Sequence, residues 1–215
     1  MLPLGYLTVF TSGLILGLFF NRLLIRSYQN ISYVFEVITG LLAIFFAYTV
    51  DLFDNNSIIN INRLPYIVLA VSMAPVIVID AKNNIIPNEI TYTLLFIGIL
   101  SSFLPDGISP VYSLSGVLLG GGILYFIGFF GKLMFKKEGM GGGDVKLMAA
   151  IGAFLGPLPV IFVLFSGSLL ALFFILIQAL FGKPVFGKQI PFGPYLAVGL
   201  FITLILMFKT DLICI

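Results

Sequence analysis

Apolar runs long enough to cross a bilayer recur along this chain, separated by short breaks rich in proline, glycine, asparagine or charge. A spanning helix needs about 20 mostly apolar residues, fewer where neighbouring helices or a thin membrane accommodate it. On that rule the pattern predicts eight spans, near 3–25, 33–50, 64–80, 89–104, 113–132, 145–157, 159–181 and 192–209. The sixth is short, and is set off by the glycine-rich approach at 139–144 and by the turn Gly156-Pro157-Leu158-Pro159. The longest polar stretches, at 51–63 and 132–144, run to only about a dozen residues, too few to build a core outside the membrane. The expected architecture is an all-α polytopic membrane protein. One transmembrane domain covers 1–215, with a two-helix N-terminal region over 1–63 and a six-helix region over 64–215.

Composition agrees with the pattern: 60% hydrophobic residues, 9% charged and a mean hydropathy of +1.17 lie far from those of a soluble domain. No positive charge precedes the first apolar run, and the first basic residue is Arg22, so 3–25 reads as a retained span rather than a cleaved leader. Charge also orients the chain. With the N-terminus outside, nine basic residues (Arg22, Arg26, Lys82, Lys132, Lys136, Lys137, Lys146, Lys183 and Lys188) fall on the cytoplasmic face and two, Arg63 and Lys209, on the outer face. Eight spans place both termini on the outer face of a cytoplasmic membrane. Lys132, Lys136 and Lys137 read as an inner-face anchor within reach of anionic membrane lipid. Gly116, Gly120 to Gly122 and Gly128 put small residues at helical spacing in the fifth span, which favours close helix packing.

The chain has no histidine and one cysteine, Cys214, which excludes an intrachain disulfide and removes the usual metal ligands and general base. No cofactor, metal or nucleic acid is expected, and any chemistry must use carboxylates. Two stand out, because intramembrane carboxylates are costly and therefore candidates for function. Asp80 closes the third apolar run, and Asp144 closes Gly139-Met140-Gly141-Gly142-Gly143. Gly141, Gly142 and Gly143 would let the backbone bend and admit an extended peptide. Alternatively, Asp144 is the N-cap of the sixth helix with Val145 at its first position, and Asp80 is an ordinary boundary charge before a turn at Asn83, Asn84 and Pro87, with Asn88-Glu89 opening the next helix. The segment Gln189-Ile190-Pro191-Phe192-Gly193-Pro194-Tyr195 predicts a kinked start to the last span; it either lines the same cavity or is a rigid turn. Glu36, Asp51, Asp54, Glu89, Asp106, Glu138 and Asp211 read as boundary or loop charges.

Taken together, Asp80 through Ile86-Pro87-Asn88-Glu89-Ile90-Thr91, Gly139 to Gly156, and Ile190 to Ala197 resemble, in order, three motifs of the type IV prepilin peptidases, membrane aspartic proteases of the GxGD type. The likeness runs from residue 64 onward; Gly17, Phe19, Asn21 and Arg26 match more loosely, with Leu18 and Arg22 departing from the pattern. The resemblance implies Asp80 and Asp144 as catalytic pair, with Gly141, Gly142, Gly143, Lys146, Pro87, Pro191 and Gly193 shaping the site or binding substrate. It implies as substrate a prepilin or pseudopilin with a short basic leader, cut after a glycine on the cytoplasmic side. Bifunctional members carry a cysteine-containing cytoplasmic domain between the first two spans, associated with zinc and with N-methylation; here that interval is Arg26 to Ser32, without cysteine. The expectation is therefore peptidase activity without methyltransferase activity. Two carboxylates held close share a proton, one activating water and the other serving as acid, and the pair titrates as a unit. The rival readings are an ion-coupled transporter using the same aspartates, and a silent homologue that only binds pilin-like helices.

Overall fold

The computed structural model describes residues 41–43, 45, 61–105, 107–135, 141–182 and 190–209. A 3-10 turn, Ile61–Arg63, leads into six helices: α1 Leu64–Asn83, α2 Asn88–Ser101, α3 Pro110–Phe135, α4 Gly142–Leu155, α5 Pro157–Leu180 and α6 Gly193–Lys209. There is no strand among the described residues. The six helices correspond to the last six predicted spans. Residues 41–43 and 45 are helical, while the rest of the two N-terminal spans, with Glu36, Asp51, Asp54, Asp106, Glu138, Asp211 and Cys214, lies outside the described residues. Three helices, Leu64–Asn83, Pro110–Met134 and Pro157–Leu180, are long and apolar enough to cross a membrane; Asn88–Ser101 and Gly193–Lys209 are shorter apolar helices.

The helix ends follow from local chemistry. The third span was expected to stop at Asp80, but α1 continues to Asn83. It ends because Asn84 takes a left-handed conformation, φ 52°, and its N–H donates to the Asp80 carbonyl oxygen at 2.8 Å; asparagine is among the few residues that tolerate this region. Pro87, extended at φ −61° and ψ 133°, then opens α2. Between α4 and α5 a single residue, Gly156, reverses the chain at φ 80° and ψ −175°, a conformation essentially reserved for glycine. Pro157 starts α5 at once, at the helix position where its missing N–H costs nothing.

The chain forms two compact units, Met1–Pro75 with Leu204–Ile215, and Val76–Thr203, the division falling inside α1 and α6. In the first, the Tyr66 ring meets Phe208 edge-on at 5.1 Å and the Arg63 guanidinium lies 5.9 Å from the same ring.

In the second unit α4 packs on α2, α3 and α5 and is buried from Leu147 onward apart from Ala149. Its seam with α3 is backbone on backbone: a Cβ on Gly116 would collide with the Gly152 carbonyl, and one on Gly152 with that of Gly116. Gly120 stands equally tight on the Met148 carbonyl, and the buried Ser113 hydroxyl donates to the Ala153 carbonyl at 2.8 Å. This is the close packing that the glycine spacing predicts. Gly122, by contrast, would bring a Cβ within 4 Å of nothing among the described residues. The outward faces of α3 and α5 display large apolar side chains, among them Phe126, Phe129, Phe165 and Phe173, which suits contact with lipid rather than water.

Candidate active site

Asp80 lies one turn before the end of α1 and is only 4% exposed, so its side chain is packed inside the protein rather than displayed at its surface. Its Oδ2 accepts a hydrogen bond from the backbone N–H of Gly193 at 2.7 Å. Gly193 is the first residue of α6, where N–H groups have no partner inside their own helix. Asp80 thus caps a helix that begins 113 residues later, and a negative charge at that helix end is electrostatically favoured. Only glycine fits there: a Cβ on Gly193 would stand 2.8 Å from Asp80 Oδ2, 3.2 Å from Cγ and 3.3 Å from Cβ. Pro191 belongs to the same turn, two residues ahead.

Asp144 is the third residue of α4. The alternative in which it caps the helix with Val145 first is therefore corrected: the helix starts at Gly142, after Gly141 at φ −67° and ψ 130°, and no side chain caps it. The Asp144 N–H instead donates to the Gly141 carbonyl at 3.1 Å. The carboxylate folds back so tightly that a Cβ on Gly141 would lie 2.8 Å from its Oδ2. Its Oδ1 is buried and has no hydrogen-bond partner among the described residues. A buried oxygen left in this way is costly and asks for an explanation.

The three glycines before Asp144 differ from one another. None has positive φ, so the run is no freely bending turn; Gly142 and Gly143 are helical. Gly143 is pressed on the segment that follows α1, where its Cβ would be 2.9 Å from Ile86 Cβ and 3.4 Å from Ile86 N. Gly142 is exposed and has nothing within 4 Å among the described residues, which leaves a side beside the carboxylate that no described residue fills.

Two residues after Asp144, the Lys146 ammonium donates to the Asn88 side-chain carbonyl at 2.8 Å and sits 5.2 Å from the centre of the Tyr92 ring. Pro87, buried, immediately precedes Asn88. Asp80 and Asp144 are close enough that the charge of one acts on the other. The structure thus gathers Asp80, Asp144, Gly141, Gly143 and Gly193 into one locus within Val76–Thr203, with Pro87 and Lys146 at its margin. Glu89 and Lys82 are exposed outside it. Ile86 and Asn88, quoted from sequence as part of a motif but given no role in the site, join it together with Tyr92; Asn88 and Tyr92, four apart, necessarily share one face of α2.

Helical among its described residues, with three helices apolar enough to cross a membrane and two carboxylates, Asp80 buried and Asp144 half-buried, that act on one another, the chain has the makings of a membrane hydrolase. The chain belongs to the type IV leader peptidase family, whose model matches residues 67–176, just over half of its length. It is similar to the prepilin leader peptidase/N-methyltransferase of Dichelobacter nodosus, 35% identical over 126 residues, which are 58% of this chain and 42% of that protein. Its namesake in Aeromonas hydrophila is 37% identical over 127 residues, 59% of this chain and 44% of that protein. The one in Neisseria gonorrhoeae is 36% identical over 124 residues, 56% and 41% of the two chains. The matched stretch is thus less than half the length of these relatives. No solved structure matches the chain.

Proposed function

We propose that this protein is an aspartic endopeptidase that removes the short leader from type IV prepilin or pseudopilin precursors at the cytoplasmic face of the inner membrane. The observation that carries the reading is the pair Asp80 and Asp144, brought together where α1 ends and α4 begins, the first buried and the second half-buried. Hydrolysis by such a pair needs one ionised carboxylate to take a proton from water and one protonated carboxyl to give a proton to the scissile carbonyl oxygen. The hydrogen bonds favour a division of labour. Asp80 Oδ2 accepts an N–H, and a protonated oxygen is the poorer acceptor, which supports Asp80 as the base. Asp144, with Oδ1 unpartnered among the described residues, is then the proton carrier. Water adds to the carbonyl carbon, giving a tetrahedral intermediate; its collapse breaks the C–N bond, and the proton held by the pair goes to the departing amine.

Eight spans with both termini outside put both aspartates at the inner membrane boundary, level with a scissile bond that lies just before a prepilin's hydrophobic helix. The open side at Gly142 leaves room for an extended chain to reach them. The short cysteine-free interval between Arg26 and Ser32 argues for cleavage without N-methylation. Membership of a peptidase family weighs against the ion-coupled transporter.

Co-expression with a prepilin, followed by mass spectrometry of the pilin, tests all of this at once. The wild-type protein should yield pilin shortened by its leader and bearing a free amine. Asp80→Ala and Asp144→Ala, and the corresponding Asn variants, should insert normally and lose about 10²–10⁴-fold in rate. Near wild-type processing by any of them would overturn the dyad, and a methylated product in a host without another methyltransferase would overturn the single activity.

A further inference from the structure

Lys146 is oddly placed for a residue that merely anchors a helix. A cation near a helix N-terminus opposes the helix dipole, so Lys146, fifth residue of α4, gains nothing from that end of its helix. A lysine serving only the inner-face charge bias would extend toward headgroups. Instead its ammonium is held from two directions by one neighbouring helix: the Asn88 amide oxygen at 2.8 Å and the Tyr92 ring at 5.2 Å, within the roughly 6 Å over which a cation is attracted to an aromatic face.

What this contact joins is short on both sides. From Asp80, the chain runs through the Asn84 N–H bonded to the Asp80 carbonyl, through Ile86 packed on Gly143, to Asn88. From Asp144, Lys146 is two residues along the same helix. The segment 84–88 is therefore fastened to the first two turns of α4 at two points, apolar where Ile86 meets Gly143 and polar where Asn88 meets Lys146. One arm ends at Lys146, two residues from Asp144, and the other at Asn88, eight residues from Asp80.

We propose that Lys146 is a positioning residue: by clamping Asn88 and Tyr92 it fixes the start of α2 and the 84–88 segment on the N-terminal part of α4, and so sets the spacing of Asp80 and Asp144. The proposal rests on the peptidase reading for its kinetic consequence, and on geometry alone for its structural one. A group that only sets spacing is felt in the chemical step and little in substrate affinity; displacements of about 1 Å cost of the order of 10²-fold in well-oriented sites. The charge matters more than the stem. Arginine, whose planar head can bond an amide and stack on a ring, should substitute, whereas methionine, with similar length and no charge, should not.

The test uses the full chain in proteoliposomes with a purified prepilin. Lys146→Met and Asn88→Ala should each lower kcat by roughly 10- to 100-fold with KM changed by less than about twofold. Lys146→Arg should restore most of the rate, and the double variant should be no slower than the worse single one, because both remove the same contact. A raised KM at unchanged kcat, fully additive losses, or Lys146→Arg as slow as Lys146→Met would overturn the clamp.

A second measurement needs no activity. In a Cys214→Ser background, spin labels at Ile85 and Gly142, both exposed, should give a narrow distance distribution that broadens in Lys146→Met and in Asn88→Ala. An unchanged narrow distribution in both would refute the clamp even with a protein that cleaves no prepilin. Absence of cleavage by the wild type would refute the peptidase reading alone.

Discussion

Asp80 rests against the α-carbon of Gly193, and the shortness of that contact makes one methyl group decisive. In Gly193→Ala the added carbon would lie 2.8 Å from a carboxylate oxygen and 3.2 Å from the carboxyl carbon, so either the carboxylate turns away or the start of α6 lifts. Both break the N–H bond to Oδ2. Leader processing should fall by about 10²-fold or more, and overpacking should cost about 1–3 kcal/mol of stability, read as a lower midpoint in calorimetry. Gly141→Ala should behave similarly, since its Cβ would stand 2.8 Å from Asp144 Oδ2. Gly142→Ala is the control for stability: with open space around it and a helical backbone, it should leave the midpoint unchanged or raise it, through the lower chain entropy of alanine. Equal destabilisation at 142 and 193 would show that these glycines matter through backbone freedom rather than through close approach. The residue types here were legible in the sequence; their separate duties were not. A backbone N–H that reaches a carboxylate on another helix leaves no mark in a side-chain pattern, and the three consecutive glycines look alike until the neighbours of each are known.

At the scale of elements, Asp144 is held in place by the helix that carries it, and that helix is seated through its contact with α3. Gly116 and Gly152 face one another so closely that a Cβ on either would strike the other's carbonyl, and backbone cannot move aside as a flexible side chain can. Gly116→Leu or Gly152→Leu should therefore cost more than the usual 1–3 kcal/mol or so of overpacking, seen as loss of folded protein from detergent extracts. The milder Gly116→Ala and Gly152→Ala should show a combined effect different from the sum of the two, because they share one contact. Additive, small effects on thermal stability would mean that α3 and α4 can slide. The helices themselves were readable from sequence because proline, glycine and asparagine punctuate an otherwise apolar chain: Asn84 to Pro87 separates α1 from α2, and Gly156 separates α4 from α5. The ends were less so. Pro159 reads as the end of a turn, yet α5 starts at Pro157 and includes it, since proline is tolerated throughout the first helical turn. Asp80 reads as the end of a span, yet α1 runs one turn further, because its polarity is met by α6 rather than by water.

For the molecule as a whole, the two carboxylates can act together only if both approach the membrane from the same side, and this is a question of chain topology. The six helices from Leu64 onward leave α1 and α4 as the carriers of Asp80 and Asp144. The lysines that flank them, Lys82 after the first and Lys146 after the second, belong to the inner set of the nine-to-two division of basic residues. Basic residues near span ends are retained on the cytoplasmic side, so in the proposed topology the same charges that orient the chain would bring both aspartates to its inner face. In a Cys214→Ser background, single cysteines at Asn83, Lys137 and Lys188 should then react with a membrane-impermeant thiol reagent only after the inner face is opened. Cysteines at Asn56 and Asp106 should react in intact cells. The pair that matters most is Asn83 and Lys137, because each lies a few residues from one aspartate along the chain. Their labelling from opposite sides would place Asp80 and Asp144 at opposite faces of the membrane and remove the shared site, whereas labelling of both from outside would keep the site and turn it toward the wrong compartment for a cytoplasmic leader.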